Sequence, residues 1–517
     1  MSTFLFYNEL IDMENRMRIT KFRKKLFLSI AFLIPLIACN FPLWTPINSQ
    51  TEPPLQFRTQ IPHNVSFPTP IPTINYQSHP PDLGNLDDQY TYKSLSGDTL
   101  QTVARHFGVE LAQISYEGNY APSKLLPPGI ILLIPKSVTN FSYADILLPD
   151  SEVIYSPSVS SFDINRFVTQ TGGYLAQYSG TVKGESLTGA QIVEKVAKNT
   201  SVNPMLLLAF IELRSHWVTQ IPPTIYWVHP LDLGLENYEG LYLELAVAAR
   251  YINTGYYAWR YGQMTDLIFT DGSTIRIAPT LNAGSVGIQY LMAQLYSKSE
   301  WETMLYSRDG LIATYYRLFG DPTPRAAQVE PLFTADIPLP SLELPFAQGE
   351  TWALTGGLHE DWTSGTPWGA LDFAPLTSEP ACAVSKSWVL AVAPGLITRA
   401  ENNQVILALE DGQGNPTGWE IFYMHIANEE MIPEGTKVNL NDRIGHPSCQ
   451  GGSATGTHVH IARKFKGEWI GAIDPFPFTL SGWTALPGVE VFKSTLEKGQ
   501  RHITADPNGA EISWITR

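Results

Sequence analysis

Short β-type runs broken by glycine and proline fill the last third of the chain. Three of them are VLAVAPGLITRA, QVILALEDGQG and WEIFYMHI. Runs of this length and composition predict antiparallel strands joined by tight turns. Residues 346–485 are therefore expected to form an antiparallel β-rich domain, preceded by a Pro-punctuated linker at 331–345. Residues 486–517 are expected to form a tail or to add a strand or two.

Two histidines alternate within the run GTHVHI at 456–461. Because residues two apart on a strand point to one face, His458 and His460 are expected to project together. Asp372 lies in another alternating run and is expected to point inward, where a buried carboxylate needs a partner. His359, on a Gly-Gly loop, can complete two histidines and one aspartate, a zinc donor set that leaves one position open for water.

Four motifs in this domain occur in a fixed order along the chain. They are GGLH at 356–359, ALDFA at 370–374, YMHI at 423–426 and GTHVHI at 456–461. In this order they resemble the lysostaphin-type, LytM-like zinc metallopeptidases. The twelve residues between the first histidine and the aspartate are a longer spacing, which is similar to that of the β-lytic branch.

The resemblance implies that His359, Asp372 and His460 bind Zn2+ and that His425 and His458 form the catalytic pair. It also implies hydrolysis of amide bonds in peptidoglycan peptides. Either Glu360 or Asp361 is an alternative ligand to Asp372. The insert between His359 and Asp372 is expected to form a loop at the rim of the cleft.

Several further residues of this domain are candidates for substrate contact. Tyr423 shares a strand face with His425 and either lines the cleft or packs in the core. His446 is expected to be an ordinary loop histidine. The candidates within the insert are Trp362, Gly365 and Trp368.

The N-terminal residues have the pattern of a secretory signal. A basic run, RITKFRKK at 18–25, precedes the thirteen apolar residues 26–38 and then Cys39, and this apolar stretch is shorter than the roughly 20 residues of a spanning helix. The last four residues, 36–39, resemble a bacterial lipobox, which implies lipidation of Cys39 and an extracytoplasmic, membrane-anchored protein. An uncleaved anchor ending in a free cysteine is the alternative. The ten prolines of residues 40–89 predict a semi-extended tether after the signal at 1–39.

The chain contains three cysteines. If lipid occupies Cys39, then Cys382 and Cys449 are left outside the cytoplasm, where we expect them to form a disulfide. The alternative is that both are reduced and buried. The formal net charge of −15 argues against nucleic acid as a partner, because nucleic-acid binding requires a basic face.

Residues 90–137 predict a small βααβ module. The motifs GDTL at 97–100, ARHFGV at 104–109 and PGIILLIP at 128–135 resemble a LysM domain, which implies binding of N-acetylglucosamine-containing glycans of peptidoglycan. Turn and cap geometry is the alternative role for the first loop. The residues expected to line the glycan groove are Gly97, Asp98 and Thr99 on one side and Leu126, Pro127 and Pro128 on the other.

Residues 160–330 predict a helical, lysozyme-like domain, with helices at 190–198, 203–217, 239–257, 283–297 and 299–318 and a hairpin around Asp271-Gly272. The segment VNPMLLLAFIELRSHW resembles the start of lytic transglycosylase domains, but Arg214 stands where that family has its glutamate. Glu212 lies two residues early and is expected to be a solvated helix residue that pairs with Arg214 or with a later basic residue. We therefore expect a degenerate transglycosylase-like domain.

Together these patterns predict a multidomain α+β lipoprotein that targets peptidoglycan and cleaves its peptides with zinc. Three other functions are compatible with parts of the pattern. The protein could be a non-catalytic activator of other wall hydrolases, a bifunctional enzyme with transglycosylase activity, or a structural wall-binding lipoprotein. The last of these would leave the five His and Asp positions of the C-terminal domain unexplained.

Overall fold

The computed structural model describes residues 88–221 and 228–517. The predicted signal at 1–39, the lipidation site Cys39 and nearly all of the predicted tether at 40–89 lie outside the described residues. Among the described residues, no helix combines the length and the apolar character needed to cross a membrane. The described chain mixes helices with antiparallel sheet and is β-rich towards its C-terminus, as the sequence predicts.

The N-terminal module is built on a three-stranded antiparallel sheet with one helix across it. Thr99 caps the helix reciprocally with Thr102, and Gly108 ends it in the left-handed conformation. The second predicted helix is only a 3-10 turn at Leu111–Gln113, where no residue is buried. The sheet order is β1-β3-β2. The elements are β1 (Gln89–Lys93), α1 (Leu100–Phe107), β2 (Ser115–Tyr116) and β3 (Ile131–Pro135).

The middle region is helical with two short hairpins. The predicted helix at 299–318 is two helices, because the chain turns through Arg308-Asp309-Gly310 between them. The elements are α2 (Ile164–Thr171), β4 (Ser179–Val182), β5 (Glu185–Thr188), α3 (Gly189–Thr200), α4 (Pro204–Ser215), α5 (Leu241–Arg260), β6 (Asp266–Ile268), β7 (Thr274–Arg276), α6 (Ala283–Ala293), α7 (Lys298–Tyr306), α8 (Leu311–Phe319) and α9 (Thr323–Ala326).

A large antiparallel sheet forms the C-terminal region, in the order β14-β11-β12-β13-β16-β9-β8-β22 with β17 paired to β16. Every residue of β16 is buried, as expected of a central strand covered on both faces. The strands are β8 (Thr351–Glu360), β9 (Trp368–Pro375), β10 (Val389–Leu390), β11 (Gly395–Glu401), β12 (Gln404–Glu410), β13 (Pro416–Met424), β14 (Lys437–Val438), β15 (Arg443–Gly445), β16 (Val459–Phe465) and β17 (Glu468–Trp469).

The segment expected to be a tail at 486–517 is folded. It contributes to a separate four-stranded antiparallel sheet, and its last strand pairs with β8 at the edge of the large sheet. Its period-2 pattern is short and interrupted, which is why the sequence alone did not decide between a tail and one or two added strands. The strands are β18 (Thr479–Leu480), β19 (Trp483–Glu490), β20 (Lys493–Lys498), β21 (Arg501–Thr504) and β22 (Trp514–Thr516).

Arg260, at the end of α5, joins the module, the helical region and the large sheet. Its guanidinium pairs with Asp150 Oδ2 at 2.8 Å and with Glu468 Oε1 at 2.9 Å, and it donates to the Ser96 carbonyl at 2.5 Å. Both carboxylates are buried, so each needs a charged partner. This one side chain therefore supplies the positive charge required by two other parts of the fold.

His106, in α1, packs against the same helix. Its ring is buried, stacks on Trp259 at a centroid distance of 3.6 Å, and its Nε2 donates to the Trp259 carbonyl at 3.0 Å. Burial, reinforced by the charges of Arg276, Arg260 and Arg105, lowers the pKa of His106 to about 3. The contact between module and helix therefore requires a neutral imidazole.

Replacing His106 is expected to change the pH dependence of stability. The unfolded chain binds a proton at this histidine below about pH 6.5, whereas the folded chain binds it only near pH 3. The stabilisation is thus complete above pH 6.5 and falls as the pH drops towards 3, by about 2 kcal/mol at pH 5. Denaturant unfolding of wild type and His106→Gln at pH 7 and pH 5 measures it. Parallel losses in the two proteins would contradict the assignment.

Candidate metal and catalytic site

Three adjacent strands carry the predicted metal ligands. Asp372 on β9 is directly paired with His460 on β16, and β9 also pairs with β8, which carries His359. His359 lies in strand β8, where the ladder is irregular on both sides of it, and not on a loop as expected. The strand order β16-β9-β8 thus brings three distant sequence motifs to one place.

The donor atoms of these three side chains converge. His359 Nε2 lies 3.0 Å from His460 Nδ1, and Asp372 Oδ1 lies 3.4 Å and 3.2 Å from these two nitrogens. All three side chains are buried. They form the group with metal-ligand geometry that is found among the described residues.

Backbone carbonyls set the tautomers of the two ligand histidines. His359 Nδ1 lies 2.8 Å from the Gly357 carbonyl, and His460 Nε2 lies 2.9 Å from the Asp361 carbonyl. Because a carbonyl can only accept, these two nitrogens carry the protons, and the facing His359 Nε2 and His460 Nδ1 have lone pairs in the neutral rings. Two such lone pairs 3.0 Å apart repel each other unless a proton or a metal ion lies between them.

The third member of the group adds a negative charge to the same point. Asp372 Oδ1 is buried and has no hydrogen-bond donor. Burial alone would raise the pKa of Asp372, but His359 and His458 outweigh burial when they carry a proton, and they then hold this pKa well below its usual range. Two imidazole lone pairs and one ionised carboxylate, unsatisfied by the protein, fit a zinc ion with an open position.

The predicted catalytic histidines lie beside this group. His425 follows the last residue of β13 and His458 precedes β16, and their ring centroids are 4.4 Å apart. His458 Nε2 lies 3.8 Å from Asp372 Oδ1. The structure therefore brings all five predicted residues into one cluster.

Backbone carbonyls also orient the two catalytic candidates. His425 Nδ1 donates to the Gln450 carbonyl at 2.9 Å, and His458 Nδ1 donates to the Gly456 carbonyl at 2.8 Å. Each therefore has its Nε2 free to accept a proton. Burial, with His458 close by, lowers the pKa of His425 to about 3 and keeps this imidazole neutral.

The insert between the first histidine and the aspartate contributes through its main chain. Neither Glu360 nor Asp361 belongs to the convergent donor group. The Asp361 carboxylate is fully buried with neither oxygen hydrogen-bonded, and burial raises its pKa well above the usual value. Its carbonyl, however, holds the His460 ring. Sequence reasoning missed this role because a backbone carbonyl leaves no residue-type signal.

The substrate-contact candidates of the insert pack against other parts of the fold. A Cβ on Gly365 would lie 2.5 Å from Thr254 Oγ1 of helix α5, so this glycine abuts the helix. Trp362 packs edge-on against Phe422 at a centroid distance of 5.6 Å, and Trp368 begins strand β9, where it is partly buried. Tyr423 is fully buried and accepts from the Val392 amide, in accord with packing.

His446 is also structural. Its Nδ1 donates to the Ser387 carbonyl at 2.8 Å, and its Nε2 faces Glu430 at 3.0 Å. This agrees with the expectation of a loop histidine outside the metal group.

The predicted glycan-groove residues lie mostly in the interior. Asp98 is buried, accepts from Tyr92 Oη and the Leu95 amide, both at 2.7 Å, and burial raises its pKa to about 6. Its neighbours in the same loop are buried as well. Of the six residues, Gly97, Asp98, Thr99 and Leu126 are buried, Pro127 is partly buried and Pro128 is exposed.

Glu212 is buried rather than solvated, and its hydrogen-bond partners lie in the loop after the helix rather than at Arg214. It accepts from the amides of Val218 and Thr219, both at 3.1 Å, and from Thr219 Oγ1. Burial would raise its pKa, but the hydrogen bonds from His216 and Thr219 outweigh burial and lower it. A glycosidase acid requires a raised pKa, so Glu212 has the environment of a loop-organising residue.

The two cysteines of this domain are bonded to each other. Cys382 and Cys449 form a disulfide across a sequence separation of 67 residues, with Cα atoms 5.0 Å apart. Cys449 directly precedes Gln450, whose carbonyl orients His425. The bridge therefore fixes the loop that holds one catalytic candidate.

Comparison with known proteins finds a family match over the middle of the chain. The family profile described as the N-terminal domain of LasA matches residues 146–331. That range contains the whole of the predicted helical domain at 160–330. Its resemblance to lytic transglycosylases stays a prediction.

Two curated relatives are proteases. The chain is 27% identical to protease LasA of Pseudomonas aeruginosa over 171 residues, which is 30% of this chain and 39% of LasA. It is 28% identical to the β-lytic metalloendopeptidase of Achromobacter lyticus over 136 residues, which is 25% of this chain and 34% of that protein. The matches thus span well under two thirds of either relative.

One solved structure that matches part of the chain is that of the M23 metalloprotease Pseudoalterin from the deep sea. It is 23% identical, covers 32% of this chain and 95% of its own, and has a TM-score of 0.27.

Removing the disulfide is expected to destabilise the protein. Opening a loop of this length costs about 4 kcal/mol in unfolding free energy on the chain-entropy model. Denaturant unfolding of a Cys382→Ser, Cys449→Ser double variant measures the loss, and the disulfide-bonded wild type provides the control. Equal stability of the double variant and the control would refute the structural role.

Proposed function

We propose that the protein is a zinc-dependent endopeptidase that hydrolyses amide bonds of peptidoglycan peptides outside the cytoplasm. One observation carries the proposal: the lone pairs of His359 Nε2 and His460 Nδ1 and the ionised Asp372 converge without a donor between them. The protease relatives and the wall-enzyme sequence resemblance support the reaction and the substrate class.

Each residue of the site has a definable task. His359, Asp372 and His460 would hold the metal, with their orientation set by the Gly357 and Asp361 carbonyls. When bound, zinc supplies a Lewis acid for the scissile carbonyl and lowers the pKa of a water molecule towards 7. Two neutral imidazoles and one carboxylate neutralise only one of the two positive charges of a zinc ion, so the loaded site would keep a net positive charge.

His425 and His458 would manage the protons. Both present an unprotonated Nε2, so one imidazole can take the proton of the attacking water and later return it to the leaving amine. Their Nδ1–H groups remain bonded to carbonyls throughout, which keeps the rings in place. The buried setting of His425 disfavours its protonated form and so promotes return of the proton.

Two finer parts of the proposal concern location. We propose lipid anchoring through Cys39, tested by whether Cys39→Ser moves the protein out of the membrane fraction. We also propose glycan binding by residues 90–137, tested by cosedimentation with insoluble peptidoglycan. Because Gly97 and Asp98 are buried, binding through them would require rearrangement at the contact with α5.

Purified cross-linked peptidoglycan provides the decisive assay. His460→Ala is expected to lose both zinc and peptide release, because one of three ligands is missing. His425→Ala is expected to keep zinc and lose activity on the order of 10²-fold or more, the usual contribution of a general base. His502→Ala, an exposed histidine away from the cluster, is the matched control and should match wild type.

The outcomes separate the competing functions. Unchanged zinc content and peptide release in His460→Ala would refute the peptidase. Release of anhydro-sugars that is lost in Glu212→Ala would instead indicate a transglycosylase. Zinc-loaded wild type that releases nothing alone but stimulates another hydrolase would indicate a regulator.

A further inference from the structure

Phe492 lies at the turn between β19 and β20, in a segment where the sequence predicted no function. Its φ is +64°, a left-handed conformation that is a genuine outlier for a bulky side chain. The residue is nonetheless 46% exposed. Partial burial of the ring therefore does not account for a backbone conformation that glycine or asparagine would adopt more easily.

The backbone of this turn is fixed against strand β8 on the N-terminal side of His359. The Gly357 amide donates to the Phe492 carbonyl at 2.9 Å, and the Phe492 amide donates to the Leu358 carbonyl at 3.1 Å. Ser494 Oγ accepts from the Leu358 amide at 2.8 Å. A Cβ on Gly357 would lie 2.3 Å from the Ser494 nitrogen, so glycine is needed for this close approach.

The ring of Phe492 reaches the metal group. It stacks on the His359 ring with centroids 4.4 Å apart and an interplanar angle of 28°. His359 itself is only 6% exposed, so the aromatic ring is the more accessible surface at this edge of the site. Phe492 therefore places an exposed apolar surface in direct contact with one of the candidate metal ligands.

We propose that Phe492 is a specificity-determining residue, whose ring forms an apolar wall beside His359 and contacts the substrate side chain next to the scissile amide. This inference rests on the proposed peptidase function. The wall favours an apolar side chain over a charged one, because an aromatic ring gains from excluding water and offers a carboxylate no partner.

Measuring peptide binding tests the role of the Phe492 ring without requiring that the protein cleave the peptide. The probes are blocked tetraglycine peptides in which residue two or residue three is Gly, Leu or Asp. Binding is measured by calorimetry to zinc-loaded His425→Ala protein, with and without Phe492→Gly. Glycine suits the left-handed backbone, so this variant removes the ring while preserving the turn.

The expected result is selective. Of the two Leu peptides, the one that binds wild-type Phe492 protein more tightly should bind Phe492→Gly on the order of tenfold more weakly, whereas binding of the Asp peptides should not change. Phe492→Leu should restore part of the lost affinity for that Leu peptide. Lys183→Gly is the matched control, because Lys183 is also exposed with φ +49° but lies on a hairpin of the helical region. Zinc affinity, measured by chelator competition, should be equal in all variants.

Two results would overturn the inference. Equal binding of Leu and Asp peptides before and after the substitution would show that the ring does not select substrates. A fall in zinc affinity that accounts for the whole binding loss would show that the ring only shields His359. Failure of wild type to cleave peptidoglycan would reject the peptidase function and is read from a separate assay.

Discussion

The antiparallel pairing of β16 with β9 determines the candidate site. It places His460 directly opposite Asp372, and the neighbouring pairing of β9 with β8 adds His359. A slip of one residue would turn His460 and its neighbours to the other face of the sheet. Burial of β16 along its whole length makes such a slip costly, because apolar residues would exchange places with charged ones.

The helical region helps to hold this strand end in place. Three tyrosines at the C-terminal end of α5 hydrogen-bond to the segment that follows β16. They are Tyr256 and Tyr257 in the helix and Tyr261 directly after it. Arg260 adds the charge that the buried Glu468 needs. The insert that orients His460 abuts the same helix through Gly365. The helical region and the large sheet therefore share an interface that includes both the end of β16 and the insert that orients His460.

The sequence predicted the site better than it predicted its surroundings. Strand alternation placed His458 and His460 together, and motif order supplied His359, Asp372 and His425, because side-chain chemistry leaves a signal in residue type. The Asp361 carbonyl left no such signal, since any residue has one. Phe492 was missed because its contact with His359 arises from hairpin docking between distant segments.

Other differences have the same origin in tertiary contacts. The second helix of the module is a single 3-10 turn, and the helix at 299–318 breaks at an Asp-Gly turn. Glu212, expected in solvent, is buried by the loop it organises. Local periodicity gives the type of such elements but not the packing that shortens or buries them.

X-ray absorption at the zinc edge tests the central claim most directly. For the purified zinc-loaded protein, the account predicts one zinc per chain with nitrogen and oxygen ligands at about 2.0–2.1 Å, including two imidazoles. His460→Ala should lose one imidazole from that spectrum or lose the metal. Substoichiometric zinc, a sulfur ligand, or a spectrum unchanged in His460→Ala would contradict the account.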